Sequence, residues 1–369
     1  MGYREELPIA QLTRLRPRFN SGRAYWRAGI DQRLRVGTRF THFPLPDSIS
    51  GIEIAGLLSL CDGRREVSEI ADAANSEPAL IKDILRSLVS LGVLELVSVD
   101  SNLAALKDSD RGASSISRKN FAERFAIEAA ACTTAVSDCS DQILRNRPGY
   151  RIEVIGSGRI ATLLSANLIA TGFSNTSLVN NRHPTHPSHR VRPSDICGAQ
   201  FSEGDIGQMK SRIFDEIHER ARLFPKEVME GSIQKRSDLA IIVGSPTPDT
   251  QQALLSQGIP HLLVDFTSSD QVRIGPFVPS RGDGPCINCI GLAEQELGAP
   301  PIETLDNDLE VGAGLAMASS GLVSLEVMRI AATNESELTG RTLLLTSHRL
   351  YEPLLTIWQR HPACGCNWL

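Results

Sequence analysis

The sequence lacks any excess of positive charge: 38 lysine and arginine residues stand against 43 aspartate and glutamate residues, giving a formal net charge of -5. A nucleic-acid-binding surface needs a basic balance or a basic face, so we expect no nucleic-acid partner. The segment from Met1 to Gln11 has no apolar stretch of the kind found in secretory signals. No uninterrupted apolar run approaches the roughly 20 residues of a membrane span. We therefore expect a cytoplasmic protein with no membrane partner.

What the sequence does contain is enough apolar material for a packed core. Its 369 residues are 41% hydrophobic and 22% charged, which is ordinary for a globular chain of about two domains. In the cytoplasm, its eight cysteines are expected to be thiols or metal ligands rather than disulfides. Four are scattered and are predicted to be small buried hydrophobic residues: Cys61, Cys132, Cys139 and Cys197.

The first part of the chain combines short strands with three helical segments. Apolar residues recur at helical spacing after a run of short β segments, and turn residues separate the elements. Three strands, three helices and a closing strand predict a winged-helix unit. We place the strands at 23–28, 30–36, 41–45 and 93–97, and the helices at 52–60, 67–74 and 78–91.

Strands and helices alternate from residue 150 onward. This alternation predicts an α/β fold with a doubly wound, mostly parallel sheet. The polar stretch before it is interpreted as a linker followed by a bridging helix. The predicted domains are therefore 1–99, a linker and bridging helix at 100–149, and the α/β domain at 150–369.

A glycine-rich turn lies between the first strand and the first helix of the α/β domain. Its pattern, Gly156-x-Gly158-x-x-Ala161, has the form of a dinucleotide-binding turn, in which the second glycine lets a phosphate approach the backbone. The same geometry serves helix–strand packing without a nucleotide, so both interpretations stay open. An NAD site needs an acid at the end of the second strand, where this chain has Asn180-Asn181. This disfavours a dehydrogenase.

Two cysteine pairs, Cys286-x-x-Cys289 and Cys364-x-Cys366, give the strongest chemical signal. Four thiolates suit a tetrahedral structural zinc, and four protein ligands leave no position for a catalytic water. Such a metal would hold the chain together. His361 could replace one thiolate, and two unrelated pairs or a redox CxxC are the alternatives.

With these motifs, the second part of the chain resembles the ThiF-like, ubiquitin-activating-type fold. The resemblance rests on the glycine turn, on Asp205-Ile206-Gly207-x-x-Lys210, and on the two cysteine pairs in Pro285–Cys289 and His361–Cys366. It implies a structural zinc site at the four cysteines. It also implies that the nucleotide-like turn comprises Gly156, Gly158, Arg159 and Lys210.

Three departures from that family's active members bear on ATP use. Active members carry an acidic pair after the second strand, an Asn-Leu-x-Arg-Gln segment and a later Asp, which hold ribose, Mg²⁺ and the triphosphate. At these places the chain has Asn180-Asn181, Asp195–Ala199 and Gly244-Ser245-Pro246. We therefore interpret the nucleotide-like turn as vestigial, and expect structural zinc but not ATP as a cofactor.

The N-terminal part, through Ile30–Gly37, Leu60–Gly63 and Leu88–Leu94, resembles a RiPP precursor recognition element. The order of the two parts is similar to that of ocin-ThiF-like proteins, the leader-binding partners of YcaO-type cyclodehydratases in azole and thiopeptide pathways. The resemblance implies that the leader adds as a strand beside 41–45 and lies against the third helix. The implied contact residues are Thr41, His42, Phe43, Leu45, Ile81, Lys82, Leu85 and Arg86.

The expected function follows from this resemblance. The protein would bind the leader of a ribosomally made precursor peptide and present the core to a YcaO-type cyclodehydratase, as an accessory protein rather than an enzyme. ThiF-like folds commonly pair, so a homodimer is a further expectation, to which the apolar segment 309–330 could contribute. An enzyme that adenylates a peptide carboxylate is the main alternative, and an NAD(P)-dependent oxidoreductase is another.

Overall fold

The computed structural model of the chain describes residues 15–19, 24–27, 33–37, 42–98, 147–180, 185–221, 236–244, 248–280, 284–299, 309–349 and 352–368. The chain divides into two compact units, Met1–Asn146 and Arg147–Leu369. The linker and bridging helix predicted after residue 99 fall almost wholly outside the described residues, as do Thr41, Cys132 and Cys139.

The N-terminal unit has a three-stranded antiparallel sheet in the order β2-β3-β4 and three helices. A further strand at each end of the unit, β1 and β7, pairs antiparallel, and β5 pairs with β6 in a two-residue hairpin. The three predicted helices and the strands β2, β3, β4 and β7 are present, whereas β1, β5 and β6 were not predicted. The elements are β1 (Leu15–Phe19), β2 (Ala24–Arg27), β3 (Leu34–Gly37), β4 (His42–Pro44), β5 (Ser48–Ile49), β6 (Ile52–Glu53), α1 (Ile54–Leu60), α2 (Val67–Ala73), α3 (Pro78–Ser90) and β7 (Leu94–Ser98).

The helix α3 forms the centre of this unit's core. Pro78 occupies its first turn, where a missing N–H costs nothing, and Gly92 follows its end at φ +66°, a conformation that glycine adopts without strain. Its apolar side chains at positions 81, 84, 85, 88 and 89 are all buried, because residues three and four apart share one face of a helix. They pack with buried side chains of β3 and α1, including Leu34, Val36 and Leu57.

The second unit is built on a seven-stranded sheet in the order β14-β13-β12-β11-β10-β8-β9. The strands β9, β8, β10 and β11 are parallel, and the remaining pairs are antiparallel, so five of the seven strands run in one direction. The α/β class and the mostly parallel sheet are confirmed. The strands are β8 (Ile152–Ile155), β9 (Thr176–Val179), β10 (Leu239–Val243), β11 (His261–Ser268), β12 (Gln271–Val278), β13 (Arg341–Thr346) and β14 (Leu354–Ile357).

Helices cover both faces of this sheet, as predicted for a doubly wound fold. Side chains of Leu239 and Ile241 pack on the face that carries α4 and α8. Their neighbours Ala240 and Ile242 pack on the opposite face with α6 and α7, since successive side chains of a strand point to opposite faces. The helices are α4 (Arg159–Ala170), α5 (Lys210–Ala221), α6 (Pro248–Ser256), α7 (Ile287–Glu296) and α8 (Ala313–Thr333).

The 21-residue helix α8 is long and apolar enough to cross a membrane, by length and composition only. Here it is a core helix, because Leu315, Val323 and Val327 are buried in the main core cluster of the unit. Its other face is apolar and exposed at Met317, Leu322 and Leu325. Exposed apolar side chains also lie on β14, at Leu354, Leu355 and Ile357.

Candidate functional site

The glycine turn lies where β8 ends and α4 begins, as predicted. The Gly156 N–H donates to the Val179 carbonyl at 2.9 Å, and a Cβ at Gly156 would lie 2.8 Å from the Val243 carbonyl oxygen. Gly156 therefore lets the ends of β8, β9 and β10 approach closely. Gly158 is the N-cap residue of α4, so the turn leads directly to the positive end of the helix dipole.

A carboxylate of the protein itself lies at the N-terminal end of α4. A Cβ on Gly158 would lie 2.8 and 2.9 Å from the two carboxylate oxygens of Glu310. The Arg159 backbone N–H donates to Glu310 Oε2 at 3.1 Å. Helix N-termini with exposed N–H groups attract anions, and in this chain the anion is supplied by the segment just before α8.

A buried ion pair lies beside the turn. Asp195 is fully buried, and its Oδ2 lies 3.0 Å from Nζ of Lys210, whose side chain is 4% exposed. The Lys210 ammonium also donates to the Ser157 carbonyl at 2.6 Å. Burial lowers the pKa of Lys210 below its ordinary value, and the charge of Asp195 offsets part of that effect. Lys210, predicted at the turn, is thus placed there.

Arg192 connects this pair to Glu310, and Arg159 binds backbone carbonyls beside both. The Arg192 guanidinium lies 3.3 Å from Asp195 Oδ1 and 2.7 Å from Glu310 Oε1. The Arg159 guanidinium donates to the Val311 carbonyl at 2.9 Å and to the Ser194 carbonyl. Three cations and two carboxylates therefore form one network around the turn. We call these five residues the turn network: Arg159, Arg192, Asp195, Lys210 and Glu310.

Sequence reasoning did not assign Arg192, Asp195 or Glu310 to this site. In the sequence, Asp195 belongs to a segment that departs from the pattern of active family members. Its local signal is the capping pattern, since its carboxylate accepts the Arg192 backbone N–H at 2.7 Å. Asn180, which follows β9 directly, donates from its side-chain amide to Ser188 Oγ at 3.0 Å.

The four paired cysteines meet at one point, as the sequence predicts. Their sulfur atoms all lie within 4.8 Å of one another, with Cys286 3.7 Å from Cys289 and 3.6 Å from Cys364, and Cys289 3.4 Å from Cys366. Zinc–sulfur bonds of about 2.3 Å in a tetrahedron require sulfur separations of about 3.8 Å. The donor set and its geometry therefore fit a tetrahedral metal ion.

The surroundings of this cysteine cluster also suit a thiolate site. Cys286 is the N-cap of α7 and Cys289 lies in its first turn, where the helix dipole favours negative charge. The Asn288 amide donates to Cys364 Sγ at 3.4 Å. His361, the considered substitute ligand, lies outside the group of four sulfurs: its Nδ1 accepts the Ala363 N–H at 3.2 Å and its Nε2 faces Glu296.

The two described scattered cysteines are buried, with exposures of 2% at Cys61 and 9% at Cys197. Burial raises the pKa of Cys61 to about 12, and it also raises the pKa of Cys197. Both thiols therefore stay protonated at neutral pH, as expected of small buried hydrophobic residues.

The predicted peptide contacts separate into buried and surface residues. Leu45, Ile81 and Leu85 are at most 4% exposed and belong to the unit's own core. The apolar stripe of α3 faces that core. On the surface, the side chain of His42 is exposed and its ring meets Trp26 edge-on at 5.5 Å. On α3, Lys82 and Arg86 are half-buried.

Within the described residues of the unit, β4 pairs with β3 alone. The Leu45 N–H donates to the Leu34 carbonyl at 2.7 Å, which fixes the alternation of hydrogen-bonding positions along this antiparallel pair. With Val36 opposite Phe43, Phe43 bonds toward β3. The backbone groups of His42 and the carbonyl of Pro44 therefore point to the outer edge, which offers one donor and two acceptors.

Together the sheet order and the glycine turn define a Rossmann-type α/β fold with an added N-terminal unit, consistent with the ThiF-like fold expected from the sequence. Solved structures support this. Escherichia coli MccB crystallised with AMPCPP and MccA matches with a TM-score of 0.64 at 12% identity, covering 95% of this chain and 98% of that one. The microcin C7 biosynthetic enzyme MccB with N-formylated MccA gives 0.62 at 13%, covering 95% and 99%.

A third match is PaaA, with a TM-score of 0.60 at 13% identity, covering 92% of this chain and 99% of PaaA. At these identities the likeness establishes the fold. It extends over both units, because nearly the whole of each chain is covered. No protein-family model and no curated protein sequence matches the chain.

Proposed function

We propose that this protein binds the leader of a ribosomally made precursor peptide and presents the core to a YcaO-type cyclodehydratase, without adenylating it. One observation carries the peptide-binding part: the fold is shared over 95% of the chain with MccB structures that contain the peptide MccA. Binding the leader would hold the core near the partner's active site. The modification then becomes effectively intramolecular.

The outer edge of β4 is the proposed leader site. An incoming strand would pair with the outward N–H and C=O of His42 and with the C=O of Pro44, which is the usual basis of strand addition. Phe43 and Lys82 belong to the same proposed surface. Arg86 adds a cation on α3, although it already pairs with Asp83 at 2.8 Å. An acidic leader would complement these cations.

Two variants of one kind test the α3 contact. Arg86→Glu reverses a charge that is 43% exposed and paired with Asp83. Arg65→Glu is the matched control, because Arg65 is 42% exposed and pairs with Asp62 at 3.0 Å with the same spacing. We expect fluorescence anisotropy with the labelled leader encoded beside this protein to show weaker binding for Arg86→Glu only. Equal affinities for the two variants would remove α3 from the site.

The strand contact has its own variant, His42→Pro, which removes the one outward N–H of the β4 edge. The loss of one backbone hydrogen bond, about 0.5–1.5 kcal/mol, predicts a Kd about 2–12 times higher. The same variant should slow azoline formation by the cyclodehydratase at limiting precursor. Unchanged leader affinity in folded His42→Pro would exclude pairing at this edge.

The absence of adenylation is proposed from the turn network. Charge on a transferring phosphoryl group needs available cations and a bound metal, whereas Arg159, Arg192 and Lys210 are already held by carboxylates or carbonyls of the chain. The departures at Asn180-Asn181, Asp195–Ala199 and Gly244-Ser245-Pro246 point the same way.

The second candidate is an active adenylating enzyme. One observation favours it, since MccB of the same fold has been solved with ATP and this chain keeps the turn and Lys210. ATP–pyrophosphate exchange with precursor present decides between the two. Exchange well above a no-protein control would replace the proposed function with adenylation.

The cysteine cluster is proposed to hold one structural zinc ion. Four buried or half-buried thiols provide the donor set that zinc prefers in closed sites. When bound, the ion would join the start of α7 to the segment after β14 and take no part in chemistry.

A homodimer is proposed through α8, whose Met317, Leu322 and Leu325 form an exposed apolar stripe of the kind that marks interaction surfaces. Light scattering of the purified protein should give twice the chain mass, and Leu325→Glu should give a monomer. A monomeric wild-type protein would exclude this.

A further inference from the structure

The end of α4 shows an arrangement that leader binding does not require. In a nucleotide-binding turn the N–H groups at the helix start and the nearby cations face a phosphate. Here the same groups face Glu310, whose oxygens accept from the Arg159 N–H at 3.1 Å and from the Arg192 guanidinium at 2.7 Å. The carboxylate also lies directly over Gly158, at 2.8 Å from a Cβ built there.

We propose that Glu310 is an internal anion that takes the phosphate position of this turn and keeps nucleotide phosphates out. The proposal rests on the part of the proposed function that excludes adenylation, and it attributes the loss of nucleotide binding to one side chain. It also implies that the groups around the turn that would bind a phosphate are still in place. Lys210, 3% exposed, directs its ammonium to the Ser157 carbonyl within the turn.

Glu310 is fixed in place by its neighbours in the chain. The Val311 side chain is 1% exposed in the core, and its carbonyl accepts from the Arg159 guanidinium. The Gly312 N–H donates to the Ser269 carbonyl at 2.9 Å. The carboxylate is therefore held at the turn by three consecutive residues, and an external anion must compete with a ligand that is always present.

The charge balance sets the direction of the expected effect. Three cations and two carboxylates form the turn network, so the network carries one net positive charge with Glu310 present. Removing Glu310 leaves two net positive charges at the end of α4, with the Arg192 guanidinium and the Arg159 N–H facing the vacated position. A highly charged anion such as pyrophosphate would be attracted to that position by its charge.

Glu310→Ala and Glu310→Gln test the proposal, with inorganic pyrophosphate as the probe and isothermal titration calorimetry as the measurement. The first substitution removes both the charge and the bulk, and the second removes only the charge. Glu294→Ala is the matched control, because Glu294 also neutralises an arginine, Arg273, elsewhere in the same unit. Circular dichroism shows whether each variant is folded.

We expect Glu310→Ala to bind pyrophosphate at least about tenfold more tightly than the wild type, because the competing carboxylate is gone. Glu310→Gln should fall between the two, and Glu294→Ala should match the wild type. Adding Arg192→Ala to Glu310→Ala should weaken binding again, which locates the anion at the turn. If Glu310→Ala does not fold, the same comparison is made with Glu310→Gln, whose expected gain is smaller.

Two results would overturn the proposal. The wild type binding pyrophosphate as tightly as the folded Glu310 variants would show that the carboxylate excludes nothing. Folded Glu310 variants that bind no pyrophosphate would show that the turn is not an anion site even when open. Neither result bears on the proposed function. That function is refuted instead if the wild type catalyses ATP–pyrophosphate exchange or does not bind leader.

Discussion

Asp195 is predicted to contribute more to stability than any single capping residue can. Its buried carboxylate accepts the Arg192 backbone N–H at 2.7 Å, and it lies 3.3 Å from the Arg192 guanidinium and 3.0 Å from the Lys210 ammonium. Asp195→Ala therefore removes a cap and also leaves Lys210, a buried cation, without its carboxylate. Breaking a buried ion pair in this way costs about 3–5 kcal/mol.

Asp205 provides a matched control in the same unit. Its carboxylate accepts the Ser202 backbone N–H at 2.7 Å, and both aspartates end a single 3-10 turn after a residue whose N–H they cap. Asp205 is half-exposed and its carboxylate pairs with no buried cation among the described contacts, so Asp205→Ala should cost only the cap, about 1 kcal/mol. The difference between the two variants, about 2–4 kcal/mol, measures the buried pair.

The assay is thermal unfolding followed by differential scanning calorimetry of the full chain. One kcal/mol corresponds to about 2–4 °C for a unit of this size, so Asp205→Ala should lower Tm by about 2–4 °C and Asp195→Ala by about 6–20 °C. Adding Lys210→Met to Asp195→Ala should recover part of the loss, because the uncompensated charge is then gone. Equal shifts for the two alanine variants, or a double variant that loses more than Asp195→Ala, would refute this account of the turn network.

Three further predictions concern the same unit. Cys286→Ser should lose the bound zinc, measured by plasma mass spectrometry, and should lower Tm. Cys197→Ser changes a buried thiol outside the cluster and should keep the metal. Equal metal content in the two variants would exclude the cluster as the zinc site. Burial lowers the pKa of His261, so the unfolded state binds its proton first below about pH 6.5. Stability should fall from about pH 6.5 down to that lowered pKa, and His261→Gln should show a shallower loss between pH 7 and 5 in urea titrations; identical slopes would contradict this. Gly156→Ala should lower the free energy of unfolding by about 1–3 kcal/mol, because its Cβ would lie 2.8 Å from the Val243 carbonyl oxygen. Gly149→Ala should be nearly neutral, because the space around its Cβ is open. Similar denaturation midpoints for the two variants would contradict the close approach at Gly156.

The sequence predicted the central strands of the second unit because their signal is local. Leu239–Val243 is a continuous apolar run whose side chains are buried on both faces of the sheet, which is typical of a parallel strand between helices. The strand β14 was missed for the opposite reason. Most of its side chains are exposed, namely those of Leu354, Leu355 and Ile357. The segment therefore shows neither the alternation of exposed and buried residues nor the continuous burial that would distinguish an edge strand from a loop.

The same distinction separates the two candidate sites. The cysteine cluster is predicted by spacing, because Cys286-x-x-Cys289 places two sulfurs together on one helical turn and the second pair repeats the signal. Glu310 has no such local pattern, since its partner Arg192 is 118 positions away in the chain. Only the tertiary fold brings the two together.

The apolar stripe of α3 shows a third limit. Ile81 and Leu85 repeat with helical spacing, and this pattern is the same whether the stripe faces a peptide groove or the unit's own core. The structure places both side chains in the core. The polar residues that directly follow them, Lys82 and Arg86, are the predicted contacts that stay half-buried at the surface of α3, and helical spacing alone does not predict how exposed they are.

If the cysteine cluster holds the proposed zinc ion, the strand β14 makes loss of that metal a matter of aggregation as well as of stability. Among the residues that the structure describes, its one partner in the sheet is β13, and an apolar edge strand is a template for pairing with other chains. The cysteine pair that follows it, Cys364 and Cys366, anchors this part of the chain to the start of α7. A chain without metal would release that anchor, and β14, with three of its four residues exposed, could then pair between molecules. Zinc-depleted protein is therefore expected to be lost as insoluble material before it is lost as unfolded monomer.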